Sequence, residues 1–498
     1  MQNGTLLAAV DLGSNSFRLE IGRFDHGQIN RTEYLKETVR QGNGLDADRN
    51  LTLESMQRGW DCLARFGERL AGFKKSQVRA VATQTLREAR NRDEFISKAH
   101  KILGFPIDVI HGREEARLIY QGVAHMLPQS DERRLVVDIG GRSTEMIVGT
   151  GLEARDMESY RVGSVAWSLK YFPDGQFSAR AFNMAEVAAK AVLEDAINTY
   201  SSGNWDVVYG SSGTIGAVSD VLTASGWPGI VTREGLDWLL DRLIKAQSAD
   251  RLKIEGMRDD RRAVIGGGVS VLRAVFELLE IEKMSAAQGA LRHGVLYDLL
   301  DREKELSDLR STSVQRLAGR FNADAVQAAR VSKVSRHLFA MAVAGLQPAE
   351  SERLQRKLEW AAQLHEIGSQ ISHSDYHKHG AYILDNADAA GFALPELHRL
   401  SLLVLGHRGK LRKLEADFED RLFIQQLLCL RVAVILCHAR RDPDLKGLQL
   451  DCGPAPGKLF VLNGRPGWSD AFPQSAHLLR EEVLAWQKTS WSLVLSGI

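Results

Sequence analysis

Apolar residues recur along the first three hundred positions at two alternating periods, one of two residues and one near three and a half. "LLAAVDLG", "FRLEIGRF" and "INRTEYLKETVR" predict three consecutive strands. "TLESMQRGWDCLARFGERLAGF" then places apolar residues at helical spacing, "VRAVAT" predicts a strand, "REARNRDEFISKAHKILG" a helix and "PIDVIHG" a strand. After the helix-like "EEARLIYQGVAHML" the series starts again. "RLVVDIGG", "TEMIVGT" and "ARDMESYRVGS" predict strands, "AEVAAKAVLEDAINTY" a helix, "WDVVYGSSGT" a strand and "GLDWLLDRLIKAQ" a helix. Past about Leu300 the strand signal fades, and "SVQRLAGRF", "DAVQAARVSKVSRHLFAMAVAGL", "AESERLQRKLEWAAQLHEIG" and "LPELHRLSLLVLGHRGK" predict helices. A short β element is expected near "LQLDCGPAPGKLFVLNGRPGW".

The restart is a repetition of detail. "DLGSNSFRLEIG" from Asp11 and "DIGGRSTEMIVG" from Asp138 share the opening Asp, the Gly two positions on, a Ser at the sixth place and a closing Gly. A repeat at more than a hundred residues means two similar domains and excludes a solenoid. Strands followed by alternating helices and strands, twice over, predict two α/β domains with a ligand cleft between them. The expected boundaries are 1–130 for the first, 131–304 for the second and 305–498 for a helical region, with a small terminal subdomain from about 441.

Composition narrows the class. With 498 residues, a 44% hydrophobic share and a 26% charged share, the chain is that of a globular protein of about three domains. "MQNGTLLAAVDLGSN" lacks the basic region of a signal peptide, and "LLCLRVAVILCHA" is too short to span a bilayer, so a cytoplasmic protein without stable membrane insertion is expected. Cys62, Cys429, Cys437 and Cys452 have no metal-binding spacing and are expected as thiols. A net charge of +1 gives no global field to steer nucleic acid, which is not an expected partner. A polyanion must be held by local clusters. "RRAV" at Arg261 and Arg262, "LREARNR" and "GHRGKLRK" are the candidates, each on its own reading first as a solvated helix face.

A strand entering a turn of Gly, Ser and Asn aligns backbone N–H groups and hydroxyls into one concavity, which binds anions without a charged side chain. Gly13, Ser14, Asn15 and Ser16 form one such turn, and Gly140, Gly141, Ser143 and Thr144 a second. "YGSSGT", with Ser212 and Gly213, is a third candidate. Asp11 and Asp138 open the first two turns at strand ends, where a carboxylate can hold Mg²⁺ directly or through water. One such loop is weak, because hairpin turns often have this composition; two in register on duplicated domains are far more specific.

With "VRAVATQTLREA" and "GREEARLIYQGV" added, these motifs stand in the order and spacing of the exopolyphosphatase/guanosine pentaphosphate phosphohydrolase family, which the chain resembles over nearly its whole length. The resemblance implies two duplicated actin-like, ribonuclease H-like α/β domains followed by an all-helical, HD-like C-terminal domain. It implies Glu115 as the catalytic base, Asp138 and Glu145 as acidic residues that hold a divalent cation, Mg²⁺ or Mn²⁺, and Arg87 as a basic residue near the cleft. Asn15, Ser16, Gly141 and Ser143 match the loops around the phosphoryl group, and Glu114 is expected on a helix face. One departure stands out: the family reads three glycines in the second loop, where this chain has Gly140, Gly141 and Arg142. At positive φ an arginine there is strained; otherwise it sets a cation beside the phosphates.

The activity so implied is release of terminal phosphate from inorganic polyphosphate, with guanosine pentaphosphate (pppGpp) hydrolysis as the rival and a homodimer as the expected assembly. Two remoter readings are a small-molecule kinase, for which "VIGGGVSVL" would form the adenine turn, and a non-catalytic sensor. In the helical region His337, His365, Glu366, His373, His377, His379 and His407 resemble a histidine-aspartate phosphohydrolase domain. Glu366 stands where that domain needs Asp, so an inactive remnant serving dimerisation and a basic channel is expected.

Overall fold

A computed structural model describes residues 2–128, 130–302, 309–343, 346–453 and 457–498. The chain forms two compact units, Met1–Asp308 and Leu309–Ile498. The boundary expected at 304/305 lies outside the described residues.

The first unit contains two sheets. One comprises β1 (Leu6–Leu12), β2 (Phe17–Asp25), β3 (Gln28–Glu37), β4 (Val78–Ala82) and β5 (Ile107–Val109) in the order β3-β2-β1-β4-β5. The other comprises β6 (Arg133–Ile139), β7 (Thr144–Thr150), β8 (Glu153–Tyr160), β9 (Val207–Ser211), β10 (Ile230–Thr232) and β11 (Lys283–Ala286) in the order β10-β11-β9-β6-β7-β8. Read from β8, the second order repeats the first, with β10 added antiparallel at the far edge. In both, an antiparallel three-strand meander continues into parallel strands. Even the irregularity is copied: the register shifts at Gly22 in β2 and at Gly149 in β7, the closing glycines of the two motifs.

Burial accounts for the patterns. β1 and β6 are buried at nearly every position, which is why they read as continuous apolar runs. β3 and β8 are edge strands, more exposed and rich in charge. Between the sheets lies a pair of helices, Gly112–Ala124 and Leu291–Arg302. Their apolar faces share one core with Leu7, Ala9 and Val81 of the first sheet and Val136 and Ile147 of the second. The helices approach closely: a Cβ on Gly294 would lie 1.8 Å from the Leu118 carbonyl oxygen. The helix bearing Glu115 is thereby gripped from both sides.

Three details depend on partners distant in sequence. Leu291–Arg302, which follows the second sheet in the chain, packs on the first, where Arg292 pairs with Glu20 and Asp298 with Arg79, and Asp298 also pairs with Arg117 of the neighbouring helix. The single helix expected after β4 is two, Gln84–Glu88 and Arg92–Leu103. Asn91 interrupts it because its amide bonds both the N–H and the carbonyl of Leu51. Glu114 lies on the inward face of the helix Gly112–Ala124: it is fully buried, with Arg117 bonding it bidentately at 2.8 and 2.9 Å.

The second unit is mainly helical, with helices at Leu309–Arg320, Ala325–Ala342, Pro348–Leu364, Tyr376–Asp385, Leu394–Gly406, Arg421–Leu436 and Pro473–Trp486. The expected β element is a sheet of β12 (Gln449–Cys452), β13 (Leu459–Asn463) and β14 (Ser492–Ser496). Its Leu450, Phe460 and Leu493 join the apolar cluster of the helices. Among the described residues no helix is long and apolar enough to cross a membrane, and all four cysteines are thiols.

Candidate active site

The strand ends of both sheets open onto one cavity of about 310 Å³. Gly13, Ser14, Asn15 and Ser16 line it from the β1–β2 turn, and Gly140, Gly141 and Ser143 from the β6–β7 turn. The two turns touch, because a Cβ on Gly141 would sit 3.0 Å from the Ser14 Cβ. Each is fixed from behind. Gly42 N–H donates to the Ser14 carbonyl at 2.8 Å and the Thr85 hydroxyl to Ser14 Oγ at 2.8 Å. In the second turn, Gly140 N–H donates to the Ser143 carbonyl at 2.9 Å, and Val165 N–H to the Gly141 carbonyl at 2.8 Å.

The third turn supplies a helix N-terminus. Ser212, Gly213 and Thr214 open the helix Ser212–Ala224, and helix N-termini attract anions. Ser212 has φ 89°, an outlier for a non-glycine residue, and its hydroxyl donates to the Ile139 carbonyl at 2.8 Å. Against Gly213 lies the Arg261 guanidinium, 2.1 Å from where a Cβ would stand. Arg261 is buried, its Nε has no hydrogen-bond partner among the described residues, and its ion pair with Asp260 is long at 3.9 Å. A buried guanidinium set on a helix N-terminus places positive beside positive, an arrangement that an anion between them would relieve.

Carboxylates complete the site. Asp11 and Asp138, from equivalent ends of β1 and β6, line the cavity with Glu115 from the first turn of its helix. Arg18 pairs with Asp11 at 2.9 Å and Arg87 with Glu115 at 2.7 Å. Burial drives the Glu115 carboxyl above the usual carboxylate range, Arg87 opposes it, and Asp11 adds to it. Burial likewise pushes Asp138 up to about 6, against the bond from Ser211 and with the charge of Glu115. Glu145 stands well above the ordinary value through burial and then the charges of Glu115 and Asp138. This cluster gathers more negative charge than Arg18 and Arg87 neutralise, so a divalent cation fits it. Among the described residues no three or more His, Cys, Asp or Glu side chains form a ready-made metal cage. Mg²⁺ bound by one or two carboxylates together with substrate phosphates does not require one.

Raised carboxylates also set a pH dependence. For Asp138 the folded-state pKa lies above the unfolded one, so the stability it contributes is fully present below about pH 4 and lost as pH rises through about 6. Without divalent cations, Asp138→Asn should therefore stabilise the protein at pH 8, by up to about 3 kcal/mol, and leave it unchanged at pH 4. Thermal melting in chelator reads this directly; equal melting temperatures for parent and variant at both pH values would refute it.

Three residues expected at the phosphates, Thr144, Arg87 and Arg142, and one expected at the cation, Glu145, do not line the cavity. Thr144 is fully buried and donates to the Val162 carbonyl. Glu145 sits behind the cavity, accepting a hydrogen bond from Ser159 at 2.7 Å. Arg87 is taken up by Glu115, Gln84 and the Ile110 carbonyl. Arg142 pairs with Glu88 at 2.9 Å, and its φ is not positive, so the strain considered for it does not arise. Conversely, Arg18, Tyr34, Lys36, Arg258, Arg261 and Arg292 line the cavity, and of these only Arg261 stands in a candidate polyanion cluster of the sequence. The "RRAV" cluster was the one available signal, discounted as a surface face.

The glycines of "VIGGGVSVL" belong to the helix Ile265–Leu278 and do not line the cavity. Cβ atoms on Gly266, Gly267 and Gly268 would come within 2.9 Å of Phe177, Ser164 and Thr214 respectively, so they serve close packing. In the helical unit, the His365 and His407 rings lie 5.3 Å apart, with His377 6.3 Å from His407. Burial lowers the pKa of all three, that of His377 to about 4. Glu366 is bound by Arg440 at 2.7 Å.

Paired turns, a helix N-terminus and a carboxylate cluster between duplicated lobes define a phosphoryl-transfer enzyme of the actin-like class. The chain belongs to the Ppx/GppA phosphatase family, which it matches over residues 21–303, with that family's domain III matched over residues 309–481. It is an enzyme that hydrolyses phosphoanhydride bonds. A Vibrio atlanticus protein named guanosine-5'-triphosphate,3'-diphosphate pyrophosphatase is 40% identical over 443 residues, covering 89% of this chain and 88% of that protein. Its namesake in Vibrio parahaemolyticus is 37% identical over 494 residues, covering 99% and 98%. The crystal structure of an exopolyphosphatase from Cytophaga hutchinsonii, 25% identical, superposes with a TM-score of 0.53 over 60% of this chain and 99% of that one. The Aquifex aeolicus member of the Ppx/GppA family, 23% identical, shares the fold with a TM-score of 0.51 over 60% and 99%.

Proposed function

We propose that this enzyme hydrolyses the terminal phosphoanhydride bond of guanosine pentaphosphate, yielding the tetraphosphate and orthophosphate. This reverses the ranking drawn from the motifs, which put polyphosphate first. Relatives matched over almost their full length carry the pentaphosphate name, while the exopolyphosphatase likeness is more distant and covers 60% of the chain. The observation that carries the reading is the cavity's basic wall. Arg18, Lys36, Arg258, Arg261 and Arg292 extend the positive surroundings beyond the three turns, suiting a substrate with a second phosphorylated arm.

In the reaction, the three turns hold the terminal phosphoryl group by backbone N–H groups and hydroxyls. Glu115 orients a water and takes its proton as the water oxygen bonds to phosphorus. The bridging oxygen leaves with the nucleotide. Asp11 and Asp138, with Glu145 behind them, are the residues that would hold Mg²⁺ or Mn²⁺, which neutralises phosphate charge when bound. The helical unit is an HD-like scaffold that serves homodimerisation, and the enzyme works in the cytoplasm.

Phosphate release with Mg²⁺ from pppGpp, long-chain polyphosphate, and ATP with or without glucose tests the reading. A kcat/KM for pppGpp at least tenfold above that for polyphosphate supports it. The opposite preference restores the exopolyphosphatase reading, and loss of ATP that requires glucose makes the protein a kinase.

A further inference from the structure

Arg142 has no part in the chemistry above, yet it is heavily bonded. Its Nη2 pairs with Glu88 Oε2 at 2.9 Å, its Nε donates to the same oxygen at 3.1 Å, and its Nη1 donates to the Gly42 carbonyl at 3.2 Å. These contacts cross from the β6–β7 turn of the second lobe to the helix Gln84–Glu88 and the Gln41–Gly44 turn of the first.

The contacts continue inward. Gln84 Nε2 donates to Glu88 Oε1 at 2.7 Å. That fixes the amide orientation, leaving Gln84 Oε1 to accept from Arg87 Nε at 2.9 Å and Nη2 at 2.6 Å. Arg87 Nη1 then donates to Glu115 Oε2 at 2.7 Å and to the Ile110 carbonyl at 2.8 Å. Every link is donor to acceptor, two are charge-assisted ion pairs, and their charged side chains are at most 21% exposed.

We propose that Arg142 is a positioning residue that clasps the two lobes together and, through Glu88, Gln84 and Arg87, sets the orientation of Glu115. A glycine at this place has no side chain to form the clasp, so the coupling is a property of this chain's departure from the three-glycine loop. The second anchor serves the same end. Gly42 N–H donates to the Ser14 carbonyl, so the clasp also bears on the first phosphate turn. Base and turn are thereby aligned by one side chain.

The proposal rests on Glu115 as the base, and the test separates the two. Steady-state kinetics and melting temperatures are measured for the full-length parent, Arg142→Ala, Arg142→Lys, Glu88→Gln, the double variant Arg142→Ala/Glu88→Gln, and Arg142→Ala placed on Glu115→Gln. Arg142→Ala should lower kcat about tenfold with KM within about twofold. Arg142→Lys should recover at least half of the lost rate. The double variant should be no slower than Arg142→Ala, because the residues act as one chain, and the substitution should cause no further loss once Glu115 is Gln. A raised KM with unchanged kcat would make Arg142 a phosphate contact and overturn the proposal. So would a rate loss that tracks melting temperature and is not rescued by Lys, additive losses in the double variant, or an undiminished tenfold loss on Glu115→Gln. Parental kcat in Glu115→Gln alone would instead remove the base assignment, whatever Arg142→Ala does.

Discussion

Replacing Glu115 by Gln is expected to lower kcat by about two to four orders of magnitude while leaving KM close to the parent's. The amide has nearly the shape of the carboxylate, and its oxygen still accepts from Arg87, so the turns and the substrate pose survive. What is lost is the ability to take a proton from the attacking water. Burial, which raises the Glu115 pKa, makes the carboxylate a stronger base than an exposed one, and Arg87 keeps part of it ionised. The variant should also melt higher than the parent at pH 8, because it no longer buries this charge. Initial rates of phosphate release decide the matter, and a rate within threefold of the parent's would remove Glu115 from the mechanism.

Exhaustive chelation is expected to abolish turnover, by roughly three orders of magnitude, in line with the several kcal/mol of charge stabilisation a bound divalent ion supplies. Asp11, Glu115 and Asp138 line the cavity with Glu145 behind them, among the described residues only Arg18 and Arg87 pair with this group, and a polyphosphorylated substrate adds further negative charge. The basic wall alone does not neutralise both. Mg²⁺ or Mn²⁺ should restore the rate, and Asp138→Asn should need a higher cation concentration for half-maximal activity. A cation titration after chelator treatment is the check. Full activity without divalent cation, or the same half-maximal concentration for the variant, would contradict the proposed role.

Much of the site was legible because it is local and duplicated. Asp11 and Asp138, with the glycines and serines that follow, announce themselves by repetition, and both sets meet at one cavity. The continuous apolar runs of β1 and β6 likewise read as strands, and burial at nearly every position accounts for them. What escaped depends on partners distant in sequence. Glu114 is buried by Arg117 and by a helix that arrives some 180 residues later, while its neighbour Glu115 faces the cavity; the family resemblance marks Glu115 as the base, but the burial of Glu114 depends on that helix. Arg261 reads as one of two arginines on a short helix until the fold sets it against Gly213. Arg142, expected either as strain or as a phosphate contact, has its partner Glu88 in the other lobe, 54 positions away.

In the proposed reaction water attacks the terminal phosphorus within this cavity. A single turnover of pppGpp in ¹⁸O-labelled water, with mass analysis of both products, tests it most directly. One ¹⁸O is expected in the released orthophosphate and none in the guanosine tetraphosphate. Label in the nucleotide, or release of pyrophosphate, would place the attack at another phosphorus and contradict it.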